Sequence, residues 1–315
     1  MSDPLNRQEC LFYRGSMIYE QITENKRKSF LLLVLFIAFI VFLGWVFGEV
    51  YRSGETGIII AVAVALIISL ITFFYGDKMV LGISQARPVD PKENPYLYNT
   101  IEGLAIAAGV PAPKAYIIDD TAPNAFATGR NPQNSAIAVT TGLLQKMNRL
   151  ELEGVIAHEM SHIKNYDIRY STLVVVLVGT VALLSDWMGR SFFYGRGRRE
   201  GRKGGGNAII LLLALILVIL APIIAKLLQL AISRQKEYLA DSSGALLTRY
   251  PEGLASALEK ISKDTEPLEV ANKATAHLYI VNPLLDHRSK LNNLFDTHPP
   301  TEDRIKRLRA MSFVK

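Results

Sequence analysis

His158-Glu159-Met160-Ser161-His162 places two imidazoles four residues apart with a carboxylate beside the first. On a helix, positions i and i+4 share a face, so both rings can reach one metal ion. Glu159 can then reach a water in an open coordination position and act as general base. Two histidines leave a tetrahedral site one protein ligand short, and the third comes in such sites from a second helix as a glutamate or a histidine. Arg234-Gln-Lys-Glu237-Tyr-Leu-Ala-Asp241 offers a candidate, with no Gly or Pro break before Gly244. Glu237 and Asp241 share a face; Glu237 can ligate the metal, and Asp241 can accept a hydrogen bond from the outer nitrogen of a ligating histidine such as His158. The competing reading is a solvated helix face with Arg234 and Lys236 as local ion partners. His277 and His287 stand outside both stretches and read as surface or packing residues.

These residues need elements to hold them. Asn148-Arg-Leu-Glu151 has capping-box spacing and opens the helix that carries the histidine pair. Asn94-Pro95 starts an earlier helix that ends near Gly109, with Asn as cap and Pro in the first turn. Three short strands follow, at 115–119, 125–128 and 136–140, separated by turns at 119–124 and 130–134. Small amphipathic helices are expected over 252–261 and 302–311.

Half the residues are hydrophobic, and they are concentrated. Phe30–Phe47 and Gly57–Tyr75 carry no charge and approach the roughly 18–20 residues that cross a bilayer. Ser171–Leu184 and Ala208–Ala225 are also apolar, the former short enough to be a buried core helix instead. Arg7, Arg14, Lys26, Arg27 and Lys28 precede the first run, whereas only Arg52 is basic in the next connection, so the N-terminus is expected in the cytoplasm. Six basic residues between the third and fourth runs resist translocation and leave open whether that hairpin spans the bilayer. The expected layout is a cytoplasmic lead at 1–29, two transmembrane helices in 30–75 and a first domain portion at 76–167. A hydrophobic helical hairpin at 168–232, with a basic Gly-rich loop at 190–207, separates this from a second portion at 233–315. The two portions together supply about 170 residues, an ordinary domain size. The net charge of +6 is explained by membrane-flanking Lys and Arg, so lipid is the expected partner and nucleic acid is not. Cys10 is the sole cysteine, which excludes an internal disulfide and a thiolate metal cluster. No signal-peptide cleavage site follows the first run, which is expected to remain as an anchor.

With His158-Glu-Met-Ser-His162, then Glu237-Tyr-Leu-Ala-Asp241 after a hydrophobic hairpin, then His298-Pro-Pro-Thr-Glu-Asp-Arg304, the chain resembles the HtpX-type membrane metalloproteases, bacterial relatives of the CAAX prenyl proteases. The resemblance runs over nearly the whole chain. It implies an α+β fold: a multi-pass helical membrane protein with a gluzincin-type zinc protease domain, mainly helical with a small β-sheet. It implies one Zn2+ per chain held by His158, His162 and Glu237, with Glu159 as general base and Asp241 behind a ligating histidine. His298 and Arg304 match an element placed near the scissile carbonyl, where a donor supports the oxyanion. Asn124, Ala125, Phe126, Ala127 and Thr128 match the edge strand on which a peptide substrate adds as an extra strand. Arg234 and Asn165-Tyr-Asp167 also fit the family and are expected to be structural only.

The expected function is therefore zinc endopeptidase activity at the cytoplasmic surface of the cell membrane. Peptide or protein substrates, membrane proteins among them, and quality control under stress follow from the resemblance alone. Cutting within the bilayer is disfavoured by Lys146, Arg149, Glu151 and Glu153, which flank the histidine helix. An inactive scaffold that kept the fold would be expected to lack a ligand or the base, and all are present.

Overall fold

The computed structural model describes residues 7–51, 55–195, 234–272, 274–283 and 298–311. Its elements in chain order are α1 (Arg7–Tyr51), α2 (Glu55–Ile83), β1 (Arg87–Pro88), α3 (Pro95–Ala108), β2 (Lys114–Ile118), β3 (Ala125–Asn131), β4 (Asn134–Thr140), α4 (Thr141–Lys146), α5 (Arg149–Lys164), α6 (Asp167–Gly195), α7 (Arg234–Thr248), α8 (Pro251–Lys263), a 3-10 turn (Ala276–Leu278) and α9 (Thr301–Arg309). The fold is mostly helical with one small mixed sheet.

Two of the described helices are long and apolar enough to cross a membrane, over Ile22–Trp45 in α1 and over α2. They approach closely where both are small: a Cβ on Gly44 would fall 2.0 Å from Ala61 Cβ. Leu32, Phe36, Ile40 and Leu43 of α1 pack with Tyr170, Leu173, Val174 and Leu177 of α6, while Phe30, Leu35, Ile59, Ile60 and Leu70 face outward. An apolar outer face suits lipid, where packing has to come from close fit between helices. The third apolar run falls within α6, which leaves α5 at an 84° bend. The fourth run, most of the basic loop and His287 lie outside the described residues.

The sheet has strand order β1-β2-β4-β3, with β2 and β4 parallel and the other pairs antiparallel. Alternation along its strands gives the two faces different partners. Ala125, Ala127, Ile137 and Val139 join Val155, Ile156 and Met160 of α5 in the main core. Phe126, Ala136 and Ala138 turn instead to Val80 and Leu81 of α2 and Val175 and Val176 of α6. The sheet is thus wedged between the helical core and the base of the membrane helices.

The caps explain where the helices begin and end. Asn94 Oδ1 accepts from the Leu97 amide, and Gly109 closes α3 in the left-handed region at φ 70°. Asn148 and Glu151 form the reciprocal capping box of α5. Gly244 does not stop α7, which runs on to Thr248. A Cβ there would lie 2.9 Å from the His158 backbone nitrogen, so this glycine lets α7 rest directly on α5. Sequence reading did not give β1 or α4, each too short to carry a periodic signal.

Candidate metal centre

α5 presents His158 and His162 one turn apart, and α7 crosses it to present Glu237. Their ligand atoms all lie within 4.8 Å of one another. His158 Nε2 is 3.2 Å from His162 Nε2 and 3.6 Å from Glu237 Oε2, and His162 Nε2 is 3.5 Å from Glu237 Oε1. Donors on a tetrahedral metal with bonds of about 2.0–2.1 Å are separated by about 3.3 Å, so the spacing fits. The outer faces of both rings are held by carboxylates. His158 Nδ1 lies 2.9 Å from Asp241 Oδ1, though off the ideal N–H direction, and His162 Nδ1 lies 3.2 Å from Asp167 Oδ2. With protons on the outer nitrogens, two Nε2 lone pairs and a carboxylate converge on one point. Glu237 Oε2 is buried and makes no hydrogen bond among the described residues. Converging acceptors repel unless a cation lies among them, and that is the chemistry of a metal site.

The carboxylates are tuned apart. Burial raises the Glu159 carboxyl, against the pull of His158 and His162 and of the Ala127 backbone N–H. Glu237 is also buried, yet His298, His158, His162 and Arg304 together hold it well below the usual carboxylate range. One carboxyl is thus inclined to accept a proton and the other to stay ionised, the division that acid–base work beside a ligand requires.

A second set of charges surrounds the first. Arg304, expected as a donor facing the substrate carbonyl, is 1% exposed and turned to the protein. Its Nε and Nη2 donate to the two Asp241 oxygens at 2.8 and 2.7 Å, and Nη1 donates to the Ile280 carbonyl at 2.7 Å. With its donors so engaged, Arg304 orients Asp241, and the expected direct role gives way to a positioning one. Asp167 is more than structural, since it backs His162. Its Oδ1 accepts from Asn25 Nδ2 at 2.7 Å and faces Lys236 Nζ at 3.0 Å. Lys236 is only 8% exposed, which rules out the competing reading of a solvated face there, and it also donates to Asn25 Oδ1. Asn25 Nδ2 reaches the Asn165 carbonyl at 2.8 Å as well. A side chain of α1 is thereby bonded into the support of a candidate metal ligand.

The expected substrate ledge is narrower than its sequence suggested. β3 does lie at the edge of the sheet, but Ala125 O accepts from Ile280 N at 3.0 Å and Asn124 Nδ2 donates to Val281 O at 3.0 Å. Phe126 is buried edge-on against Tyr279, with centroids 5.1 Å apart, and Thr128 shares a hydrogen bond with Thr172. Of the five residues, Ala127 lines the cleft, together with Glu159, His162, Glu237, Lys236 and His277. His298 stands close enough for its charge to bear on both Glu237 and His277. His277 is the other correction: it is a wall of this cleft, not a surface or packing residue. Sequence carried one signal for Asp167, a carboxylate just past the end of a ligand-bearing helix, and none for Asn25 or His277.

The chain is also similar to known proteins. The profile described as Peptidase family M48 matches residues 91–312. The "Protease HtpX homolog" of Dictyoglomus turgidum is 50% identical over 293 residues, covering 93% of this chain and 94% of its own. That of Thermoanaerobacter pseudethanolicus is 46% identical over 297 residues, covering 94% and 98%. Among solved structures, S. mikatae Ste24p aligns with a TM-score of 0.46 and 21% identity, over 92% of this chain and 67% of that one.

Proposed function

Because the chain belongs to peptidase family M48, we propose that this membrane metallopeptidase is a zinc endopeptidase that cleaves membrane or misfolded proteins at the cytoplasmic face of the cell membrane, in quality control or the stress response. The observation that carries this reading is the convergence of His158, His162 and Glu237 beside a buried Glu159 whose carboxyl is pushed upward. Zinc, when bound by these three residues, supplies a Lewis acid that polarises the scissile carbonyl and acidifies a water.

The chain's own groups do the rest. Glu159 takes the proton of the attacking water and returns it to the leaving amine, a transfer favoured by its raised proton affinity. Asp241 and Asp167 keep the two imidazoles in the tautomer that turns Nε2 inward. Arg304 fixes Asp241. His298, beside Glu237, is assigned the donor to the developing oxyanion. Ala127, on the edge strand, meets the substrate backbone. In this reading residues 76–167 and 233–315 make one protease domain interrupted by a hydrophobic hairpin, and the basic lead of α1 keeps that domain cytoplasmic.

The test is Glu159→Gln in the full chain, in detergent, against unfolded casein with a chelator control. The variant should keep one zinc per chain and lose at least about 100-fold in cleavage rate. Full activity in that variant would refute the mechanism. A chain that never cleaves, with or without zinc, would favour an inactive scaffold.

A further inference from the structure

Gly44 of α1 meets Ala61 of α2, and the two helices run antiparallel. Equal steps from that contact toward the domain bring Phe30 level with Tyr75 and Lys26 level with Met79. Both apolar runs therefore end at one height, and what lies just past it sits in the headgroup layer of the leaflet on the domain's side. Phe74 and Tyr75, 49% and 54% exposed, mark that height on the outer face of α2.

Cations gather on these rings. Lys78 Nζ lies 5.2 Å from the Tyr75 centroid, and the Arg130 guanidinium 4.9 Å from that of Phe74. Arg169 lies 5.6 Å from Phe73 and 5.3 Å from Tyr166, and Lys26 Nζ is 4.5 Å from the Tyr166 ring. Tyr166 holds its ring there from φ 60°, a left-handed conformation that costs a bulky residue energy. Among the described residues none of Lys26, Lys78, Arg130 and Arg169 pairs with a carboxylate, whereas Arg87, Arg149, Lys260 and Arg309 of the domain all do.

Arg130 and Arg169 line one cleft with Thr72, Phe73, Asp77 and Thr172. Arg169 Nε donates to the Arg130 carbonyl at 2.7 Å, which fixes the two residues side by side, close enough for their charges to repel. Their Nη groups make no hydrogen bond among the described residues. Asp77 supplies the one carboxylate among the lining residues and forms no ion pair with either arginine. Two guanidinium groups against one carboxylate leave the cleft short of a single negative charge.

We infer that this cleft binds the phosphate of an anionic phospholipid headgroup, with Arg130 and Arg169 as its donors. Planar guanidinium forks match phosphate oxygens, and stacking on Phe73 and Phe74 holds the forks in place before the lipid arrives. A headgroup of charge −1 balances the cleft, whereas a zwitterionic one brings its own cation and leaves the imbalance. Asp77 is then an acceptor for headgroup hydroxyls, which fits phosphatidylglycerol. A lipid so held ties β3 to the bilayer surface, three residues from Ala127.

The experiment uses the full-length protein in non-ionic detergent, with dioleoyl phosphatidylglycerol, dioleoyl phosphatidylethanolamine and sn-glycerol 1-phosphate as probes. Native mass spectrometry counts the lipid retained. The native chain should hold phosphatidylglycerol about tenfold more tightly than phosphatidylethanolamine, and Arg130→Gln with Arg169→Gln should weaken it roughly 10- to 30-fold. Arg130→Lys, which keeps the charge and loses the fork, should fall between, and Lys92→Gln on the domain's surface should change nothing. Excess sn-glycerol 1-phosphate should not displace the lipid, whose acyl chains lie along the outer face of α2. Zinc content and lipid-free Tm report whether the double variant folds. If it does not, Arg130→Gln alone decides, because that guanidinium only stacks on Phe74 among the described residues. The inference is overturned if the two lipids bind alike, or if the folded variant retains phosphatidylglycerol as the native chain does. Displacement by sn-glycerol 1-phosphate overturns it too, in favour of a site for a soluble phosphate.

Discussion

Below about pH 9 a proton and a metal ion compete for His158, since burial lowers its proton affinity but the adjacent Asp241 and Glu237 carboxylates outweigh that and raise it to about 9. The metal-free ring is then protonated at neutral pH, and metal binding releases that proton. Zinc affinity should therefore rise with pH up to about 9 and fall about tenfold per unit as pH drops below it. Chelator competition at pH 6, 7 and 8 measures this, and a flat dissociation constant would contradict it. Arg304 carries a different load. Its loss leaves Asp241 and Glu237 as buried carboxylates without their cation, a change that costs about 3–5 kcal/mol in comparable sites. Arg304→Met should unfold at markedly lower denaturant concentration and lose zinc. Arg304→Lys should rescue little, because a single ammonium cannot reproduce the two-pronged contact. The two histidines, and Glu237 with Asp241, were legible as pairs because helical spacing puts each pair on one face, and the resemblance then joined the pairs and Glu159 into one site. Asp167 was not, because it lies beyond Lys164 where α5 ends and the periodic argument stops. Arg304 was picked out by the stretch from His298 to Arg304, but its role, like the placing of His277, comes from contacts remote in sequence.

Among the elements, α5 and α3 could be drawn from their caps before any coordinates, since Asn94, Asn148, Glu151 and Gly109 act on their nearest neighbours. Gly244 illustrates the opposite case. A glycine that ends a helix and one that lets two helices touch look alike in sequence, and only the crossing of α7 over α5 tells them apart. Gly244→Ala should push α7 away from the His158 backbone and carry Glu237 with it, at an expected cost of about 1–3 kcal/mol. Zinc stoichiometry and thermal melting check this, and a variant with native zinc content and native Tm would count against the close packing. The edge strand was likewise legible as a strand, but its coverage by Ile280 and Val281 was not, because that pairing spans more than 150 residues of chain.

At the scale of the molecule, two membrane helices were evident from hydropathy, and the reach of the first beyond the bilayer was not. A helix of 45 residues extends about 68 Å, roughly twice the apolar thickness of a membrane. The surplus brings Asn25, just before the apolar run from Phe30, down to Asp167 and Lys236. Replacing Asn25 by Leu should weaken zinc binding about tenfold while leaving the chain in the membrane, measured by chelator competition on the detergent-solubilised protein. Orientation is open to a direct test, because Cys10 is the sole cysteine. A membrane-impermeant maleimide should label it in inverted vesicles and not in right-side-out ones, and the reverse pattern would move the peptidase domain to the other face. The bond from Asn25 to Asp167 also ties the membrane anchor to the metal centre: a shift of α1 along its axis is transmitted through one amide to the carboxylate behind His162.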